Sequence, residues 1–331
     1  MSFRSITEKL KHSSLTENLT ERCTRENRLT IQGGSRTAKA LISSSLAQSV
    51  NKPLLIIVSS SEEASRWYSL MNVMGWNNTY IYPTTDSSPY DRSYENSEII
   101  WGQLQLLVDL IAFPDTTNTA IIATERSLQP HLPPFETLKS KCINIRKSAA
   151  FDLEKLCHQL TLIGYKRVTT IDQEGTWSRR GDIIDIYPVS CELPCRLEFF
   201  GDELDKIKEF DPVTQRSLDV ISNINIPPTN FSNMILEALK DKDETYLAKY
   251  MGSELIDLIR ESIDSPELSG YMGLAWDKPF SLLDYLPQNT CIAIDEREQC
   301  LSHGEMWLDN TKLSFEEFYK SSKNSKELKE T

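Results

Sequence analysis

Two short stretches of this chain carry residue types that could handle a nucleotide. The first, residues 28–43, reads RLTIQGGSRTAKALIS. A phosphate-binding loop has the form G-x-x-x-x-G-K-[ST]. Its last glycine lets backbone N–H groups close on the phosphates, its lysine reaches the β- and γ-phosphates, and its hydroxyl ligates Mg²⁺. Here Gly33 and Lys39 hold the first glycine and lysine positions, whereas Ala38 and Ala40 replace the second glycine and the hydroxyl. Those two exchanges remove chemistry and leave folding untouched. The second stretch, residues 291–296 (CIAIDE), is an apolar run closed by Asp295 and Glu296. At the end of an ATPase core strand, such an aspartate holds Mg²⁺ and the glutamate polarises the attacking water. Alone, the same pattern also describes a buried strand reaching solvent. Taken with the damaged loop, it predicts a degenerate nucleotide site of Gly33, Lys39, Asp295 and Glu296.

The elements that must position these residues alternate strand and helix over the first third of the chain, as in α/β proteins. Strands are predicted at 29–32, 54–59, 79–82 and 119–124. Helices are predicted from Ala38 through Ala47, over 61–74 and over 95–113. The runs at 54–58 and 120–123 have the continuous apolarity of parallel strands buried on both faces. Between them lies a polar loop, PTTDSSPYDRS, whose aromatics are Tyr90 and, just beyond it, Tyr94. Near residue 143 the pattern changes. A helix over 151–162 stops at Gly164, and short strands follow at 167–170, 176–178, 182–187, 195–200 and 203–210. Their turn residues, Arg180-Gly181 and Gly201-Asp202, predict an α+β module with an antiparallel sheet that ends around 217–218. Beyond Pro227-Pro228 the chain reads as helical until the strand ending in Asp295-Glu296. The α/β domain is therefore expected to be discontinuous.

The bulk properties bound the function. A chain of 331 residues has room for about two domains. Hydrophobic content of 39% and charged content of 25% describe an ordinary globular protein. No apolar run approaches the ~20 residues of a membrane span, and the N-terminal MSFRSITEKLKHSS has no signal-peptide core, so no membrane role and a cytoplasmic location are expected. A net charge of −12 opposes a function based on gripping phosphate backbones and favours a protein partner, with DNA bound weakly or indirectly. The seven cysteines are expected to be free thiols. Cys191 and Cys195 form the only close pair, and with no second Cys/His pair at ligand spacing no metal site is assigned.

The longest motif-bearing segment, residues 163–218, reads IGYKRVTTIDQEGTWSRRGDIIDIYPVSCELPCRLEFFGDELDKIKEFDPVTQRSL. Its landmarks GY-R-V, E-G, RG-DI-D-P, P-R-E-FGDE-I and FDP-TQRS resemble the UvrA-binding module of the bacterial transcription-repair coupling factor, itself similar to the first half of the excision-repair helicase UvrB. TTDSSPYDRS echoes the coupling factor's TLPYD-SP-type loops, and SLLDYLP before Asp295-Glu296 is similar to the UvrB segment preceding its DE box. The resemblance runs from about Gly33 to Glu296. UvrB, however, carries a long aromatic hairpin that threads damaged DNA and an intact phosphate loop. This sequence has neither, and in both respects it is like the N-terminal region of the coupling factor.

The resemblance implies an α/β fold: a degenerate, RecA-like P-loop domain with a parallel sheet, discontinuous and interrupted by the small α+β module. The limits implied are 1–140 for the first segment of the P-loop domain, 141–219 for the module, 220–315 for the returning segment and 316–331 for a polar tail. It implies a non-catalytic module that recruits UvrA in transcription-coupled excision repair. Arg180, Arg196 and Phe200 would form the docking face, with no cofactor beyond ATP as a weak residual ligand. RNA polymerase would be reached only through regions absent from this sequence. Read without the resemblance, Arg196 pairs with an acid such as Glu198 or Asp202, and Phe200 belongs to the core. Because Phe199 and Phe200 are adjacent on a strand, they face opposite ways and one is expected to be exposed. Two other functions stay open at this point. One is a UvrB-like damage-binding helicase fragment with residual ATP and DNA binding, opposed by the short loop. The other is an unrelated P-loop enzyme, opposed by Ala38 and Ala40. Trp67, Trp76 and Trp101 read as core or rim.

Overall fold

The computed structural model of the chain describes residues 2–85, 97–112, 117–278 and 280–329. The polar loop with Tyr90, together with Tyr94, lies almost wholly outside those residues. The chain forms two compact units, the first comprising Met1–Arg92, Phe113–Gln129 and Ser281–Thr331, the second Ser93–Ala112 and Pro130–Phe280.

The chain enters the first unit through α1 (Phe3–Lys11), α2 (Ser14–Glu26), α3 (Arg36–Ser49), β1 (Leu54–Val58), α4 (Ser61–Met71) and β2 (Asn78–Tyr82). Each of these helices starts on a serine, Ser2, Ser13, Ser35 or Ser60, whose hydroxyl accepts from the backbone N–H three residues on. This satisfies one of the orphan donors of the first turn. Helix α5 (Ser97–Ala112) belongs to the second unit, and β3 (Thr119–Thr124) returns to the first. The second unit continues with α6 (Phe135–Lys141), β4 (Ile143–Arg146), α7 (Leu153–Leu162), β5 (Lys166–Arg167), β6 (Thr176–Arg180), β7 (Ile183–Tyr187), β8 (Cys195–Phe200) and β9 (Glu203–Phe210). After β10 (Ser217–Ile221) and β11 (Asn223–Ile226) come α8 (Ser232–Lys240), α9 (Glu244–Leu247), α10 (Ser253–Glu261) and α11 (Met272–Ala275). The chain re-enters the first unit to form β12 (Cys291–Ile294) and α12 (Arg297–Lys329).

In the first unit the sheet order is β12-β1-β3-β2, and every pairing is parallel. Residues of β1 and β3 are buried throughout, as their unbroken apolarity requires. Trp67 and Trp76 pack into the same core, where the Trp76 Nε1–H donates to Ser44 Oγ at 3.0 Å. Residues 29–32 form no strand, contrary to the alternation of Leu29 and Ile31. Ile31 is 42% exposed, and the strand expected to lead into α3 has no place in the sheet, whose order is completed by β12. Helix α3 is thus preceded by a loop in which Gly33 takes a left-handed φ of 78°.

In the second unit the six strands follow the order β10-β9-β8-β7-β6-β5, antiparallel except for β5 with β6. One sheet face packs on α7 and on the β4–β11 pair around Leu156, Leu160, Trp177, Ile184, Leu197 and Ile207. Gly164, expected as the stop after α7, has φ 97°, and a Cβ there would lie 2.2 Å from Thr229 Oγ1. Three sequence expectations shift. The sheet does not end at 217–218, because a bulge lets β10 continue pairing to Ile221. Residues 220–280 cluster with the second unit, and the return begins at Ser281. Residues 316–329 lie within α12, since the Lys- and Glu-rich segment extends a helix already nucleated upstream.

Candidate functional site

Strand alternation and register build a single outer face on the six-stranded sheet. Along β8, Cys195, Leu197 and Phe199 point into the core, so Arg196, Glu198 and Phe200 point away from it. Cross-strand pairing sets Asp185 opposite Arg196, Ile183 opposite Glu198 and Arg180 opposite Ile183, so these residues share that outer face. Arg180 ends β6 and Phe200 ends β8. Both run into two-residue hairpin turns at the same end of the sheet, each made with a glycine at positive φ, Gly181 (62°) and Gly201 (64°). Phe200 is 86% exposed, whereas Phe199 is 8% exposed and meets Phe151 edge to face at 6.3 Å. The expectation of one exposed aromatic holds, and Phe200 is not core.

The two arginines differ. Arg196 donates from Nε to Asp185 Oδ1 at 2.7 Å and from Nη2 to Oδ2 at 3.0 Å, with its guanidinium 4.8 Å from the centroid of the buried Phe210 ring. Asp185 is 3% exposed, and its hydrogen bond is the main influence raising the Arg196 pKa. The acid that pairs with Arg196 is therefore neither Glu198, which accepts from Lys208 Nζ at 2.7 Å, nor Asp202. A lone charge inside IIDIY was the sequence signal for Asp185, and the short-range reading passed over it. Arg180 donates from Nη2 to the Thr169 carbonyl at 3.0 Å and has no acid within ion-pair distance among the described residues.

Three residues of the expected nucleotide site, Lys39, Asp295 and Glu296, also converge, within the first unit. The Lys39 Nζ lies 2.6 Å from Asp295 Oδ1 and 2.5 Å from Glu296 Oε1, and Trp67 Nε1 donates to Asp295 Oδ2 at 2.8 Å. Burial opposes charge on Lys39, but hydrogen bonds and the charges of Asp295 and Glu296 outweigh it and raise its pKa. Glu296 holds a left-handed φ of 47°, an uncommon conformation for a residue with a side chain. Gly34, Arg36, Glu63 and Gln299 complete a cavity of about 410 Å³ around these groups. Arg36 is itself paired with Glu63. Gly33, beside this cavity, is open around its Cα. Among the described residues that line the cavity, three carboxylates, Glu63, Asp295 and Glu296, stand against two cations, Arg36 and Lys39, and both cations are paired. Neither the Trp67 contact nor the Arg36–Glu63 pair had a legible sequence signal.

An exposed aromatic and two arginines thus share one face of the sheet, residue types that are enriched at protein interfaces. Residues 143–231, which span that sheet and the β4–β11 pair, match the family model of the UvrB interaction domain. Over most of its length the chain is similar to transcription-repair-coupling factors. It is 28% identical to that of Bacillus subtilis over 316 residues, covering 89% of this chain and 25% of the relative. It is 25% identical to that of Haemophilus influenzae over 295 residues, covering 85% and 24%. With a Staphylococcus aureus relative it shares 28% over 288 residues, covering 80% and 24%. The chain spans about a quarter of the length of these relatives. The matches support the resemblance to the UvrB-homology region of the coupling factor and a place among DNA-repair proteins.

Proposed function

We propose that this chain recruits UvrA in transcription-coupled excision repair, through the outer sheet face that carries Arg180, Arg196 and Phe200, and that its nucleotide site is degenerate and serves packing rather than catalysis. One observation carries the reading. Phe200 is 86% exposed on a sheet that matches the UvrB interaction domain, flanked on the same face by the two arginines. A large ring held in water at the rim of a rigid sheet costs apolar exposure unless a partner covers it, and aromatic and arginine side chains are the usual hot spots of such contacts. Asp295 and Glu296 are occupied by Lys39 and Ala40 offers no hydroxyl, so ATP turnover has neither a metal shell nor a free activating carboxylate. DNA contact is weak or indirect, and RNA polymerase is reached through parts of the longer relatives outside this chain. Among the described residues no helix is long and apolar enough to cross a membrane.

The test is direct binding of purified UvrA to this chain. Phe200→Ala is expected to weaken it by about 30-fold or more, a hot-spot loss of ~2 kcal/mol. Binding that tolerates Phe200→Ala would overturn the docking face. Tight binding to damaged duplex without UvrA would favour the UvrB-like reading instead.

A further inference from the structure

Resting on the docking face proposed above, we infer that its two arginines have separate jobs. Arg180 is the unneutralised cation that attracts an acidic group of the partner, and Arg196 is a charge-balanced donor aimed by the buried Asp185 at a neutral oxygen acceptor. The positions of their partners carry this. Asp185 takes Nε and one Nη2 hydrogen of Arg196 side-on, at 2.7 and 3.0 Å, and the Phe210 ring lies against the guanidinium with its centroid 4.8 Å from Cζ. Of the five N–H donors of an arginine, those on Nη1 and the outer one on Nη2 are left for another molecule. The side chain is 19% exposed, so part of it is accessible while its charge is cancelled by a carboxylate in contact. Such a group adds geometry and little long-range attraction. The remaining charges near it, Glu198 and Lys208, also cancel each other across 2.7 Å.

Arg180 is the opposite case. Its single hydrogen bond is to the neutral Thr169 carbonyl, its side chain is exposed, and no carboxylate lies within ion-pair distance among the described residues. Its neighbour Arg179 is paired with Glu154 at 2.6 Å, which leaves Arg180 as the cation at that end of β6 without an acid. A rim charge of this kind acts on association rate and salt dependence, whereas a hydrogen-bonded, desolvated group acts on dissociation. Asp185 is then a positioning residue, acting through Arg196.

The experiment is surface plasmon resonance of purified UvrA over the immobilised full chain at several salt concentrations, with a melting curve for each variant. Arg180→Ala is expected to slow association about tenfold at low salt, flatten the salt dependence and leave dissociation nearly unchanged. Arg196 is removed together with its acid as Asp185→Asn/Arg196→Gln, so that no buried carboxylate is stranded. That pair is expected to speed dissociation about tenfold and keep the wild-type salt slope. Asp185→Glu keeps the charge and displaces the carboxylate, so faster dissociation at an unchanged salt slope is expected for it, and its melt reports the separate cost of one more methylene at a buried site. Equal salt slopes for the Arg180 variant and wild type, or a slope that falls with the Asp185/Arg196 pair, would overturn the division. Absent wild-type binding, or insensitivity to Phe200→Ala, would overturn the docking reading itself and this inference with it.

Discussion

The Lys39 ammonium lies 2.6 Å from the Asp295 carboxylate although 256 positions separate them in the chain. The contact joins the first turn of α3 to the end of β12, two segments that reach the first unit on separate passes. In a working nucleotide site the lysine serves phosphate and the aspartate serves Mg²⁺. Here each satisfies the other, and the Trp67 indole closes the second carboxylate oxygen.

Lys39→Ala is therefore expected to destabilise the fold, by roughly 1–3 kcal/mol as for hydrogen bonds between charged groups. Because the folded pKa of Lys39 is raised, its contribution is fully present below the unfolded value near 10.4 and is lost as pH climbs through the folded value. The gap between wild-type and variant melting temperatures should hold from neutral pH to about pH 10 and close beyond it. Millimolar Mg-ATP is expected to leave the wild-type melt in place. A ligand at a hundred times its Kd would add about 2.7 kcal/mol, and a shift of that size that disappears in Lys39→Ala would show a competent site.

Adjacent phenylalanines give a paired stability test. Phe199→Ala empties a position in the core beside Phe151 and is expected to cost ~3–5 kcal/mol. Phe200→Ala removes a ring already in water and is expected to change stability by less than about 0.5 kcal/mol. Chemical denaturation of the two single variants decides the assignment of faces, and comparable losses would refute it.

Arg196→Ala is not a neutral surface change. It leaves the Asp185 carboxylate buried without its partner, and a loss of about 3 kcal/mol is expected, as when one member of a buried pair is removed. Arg180→Ala should stay within about 0.5 kcal/mol of wild type. Asp185→Asn/Arg196→Gln should recover most of the loss, measurable as a double-mutant cycle. Equal melts for the two alanine variants would contradict the geometry.

Burial pushes the Cys142 thiol up to about 12 and those of Cys191 and Cys300 up to about 11. Unfolded thiols ionise near 8.5, so the folded state favours the protonated forms. The stability they contribute is present below about pH 8.5 and is lost as pH rises toward those folded values. A fall in melting temperature is expected above about pH 9, reduced in Cys142→Ala. At pH 8 roughly one in a thousand of a thiol with pKa 11 is thiolate, so native iodoacetamide labelling of these three should be slow and should accelerate on unfolding. Rapid native labelling at Cys142 would contradict its raised pKa.

Much of the second unit was legible from sequence. β8 and β9 match their predicted limits, because their alternation of core and solvent residues is strong and glycine turns mark their ends. β10 and β11 were missed, since a bulge breaks the alternation of one and the other consists of four residues whose partner strand lies far upstream. Residues 29–32 alternate like a strand and form none, because alternation states which side could be buried and not whether a sheet edge is available to receive it. Residues 316–331 read as a polar tail from their lysine- and serine-rich composition, yet residues up to Lys329 continue α12, since helix propagation costs little once the preceding turns exist.

By itself the sequence determined what depends on neighbours along the chain. The opposite facing of Phe199 and Phe200 follows from the two-residue period of a strand, the turns follow from Gly181 and Gly201, and the departure from the phosphate-loop pattern follows from Ala38 and Ala40. Only the tertiary structure decided what each charge meets. That Asp185 and not Glu198 holds Arg196, that Arg180 is exposed with no acid within ion-pair distance among the described residues, and that Lys39 fills the place between Asp295 and Glu296 all depend on strand register and on which segments return to the same unit. Those pairings come from long-range packing of apolar faces, which carries the charged side chains to their partners and leaves no mark in local periodicity.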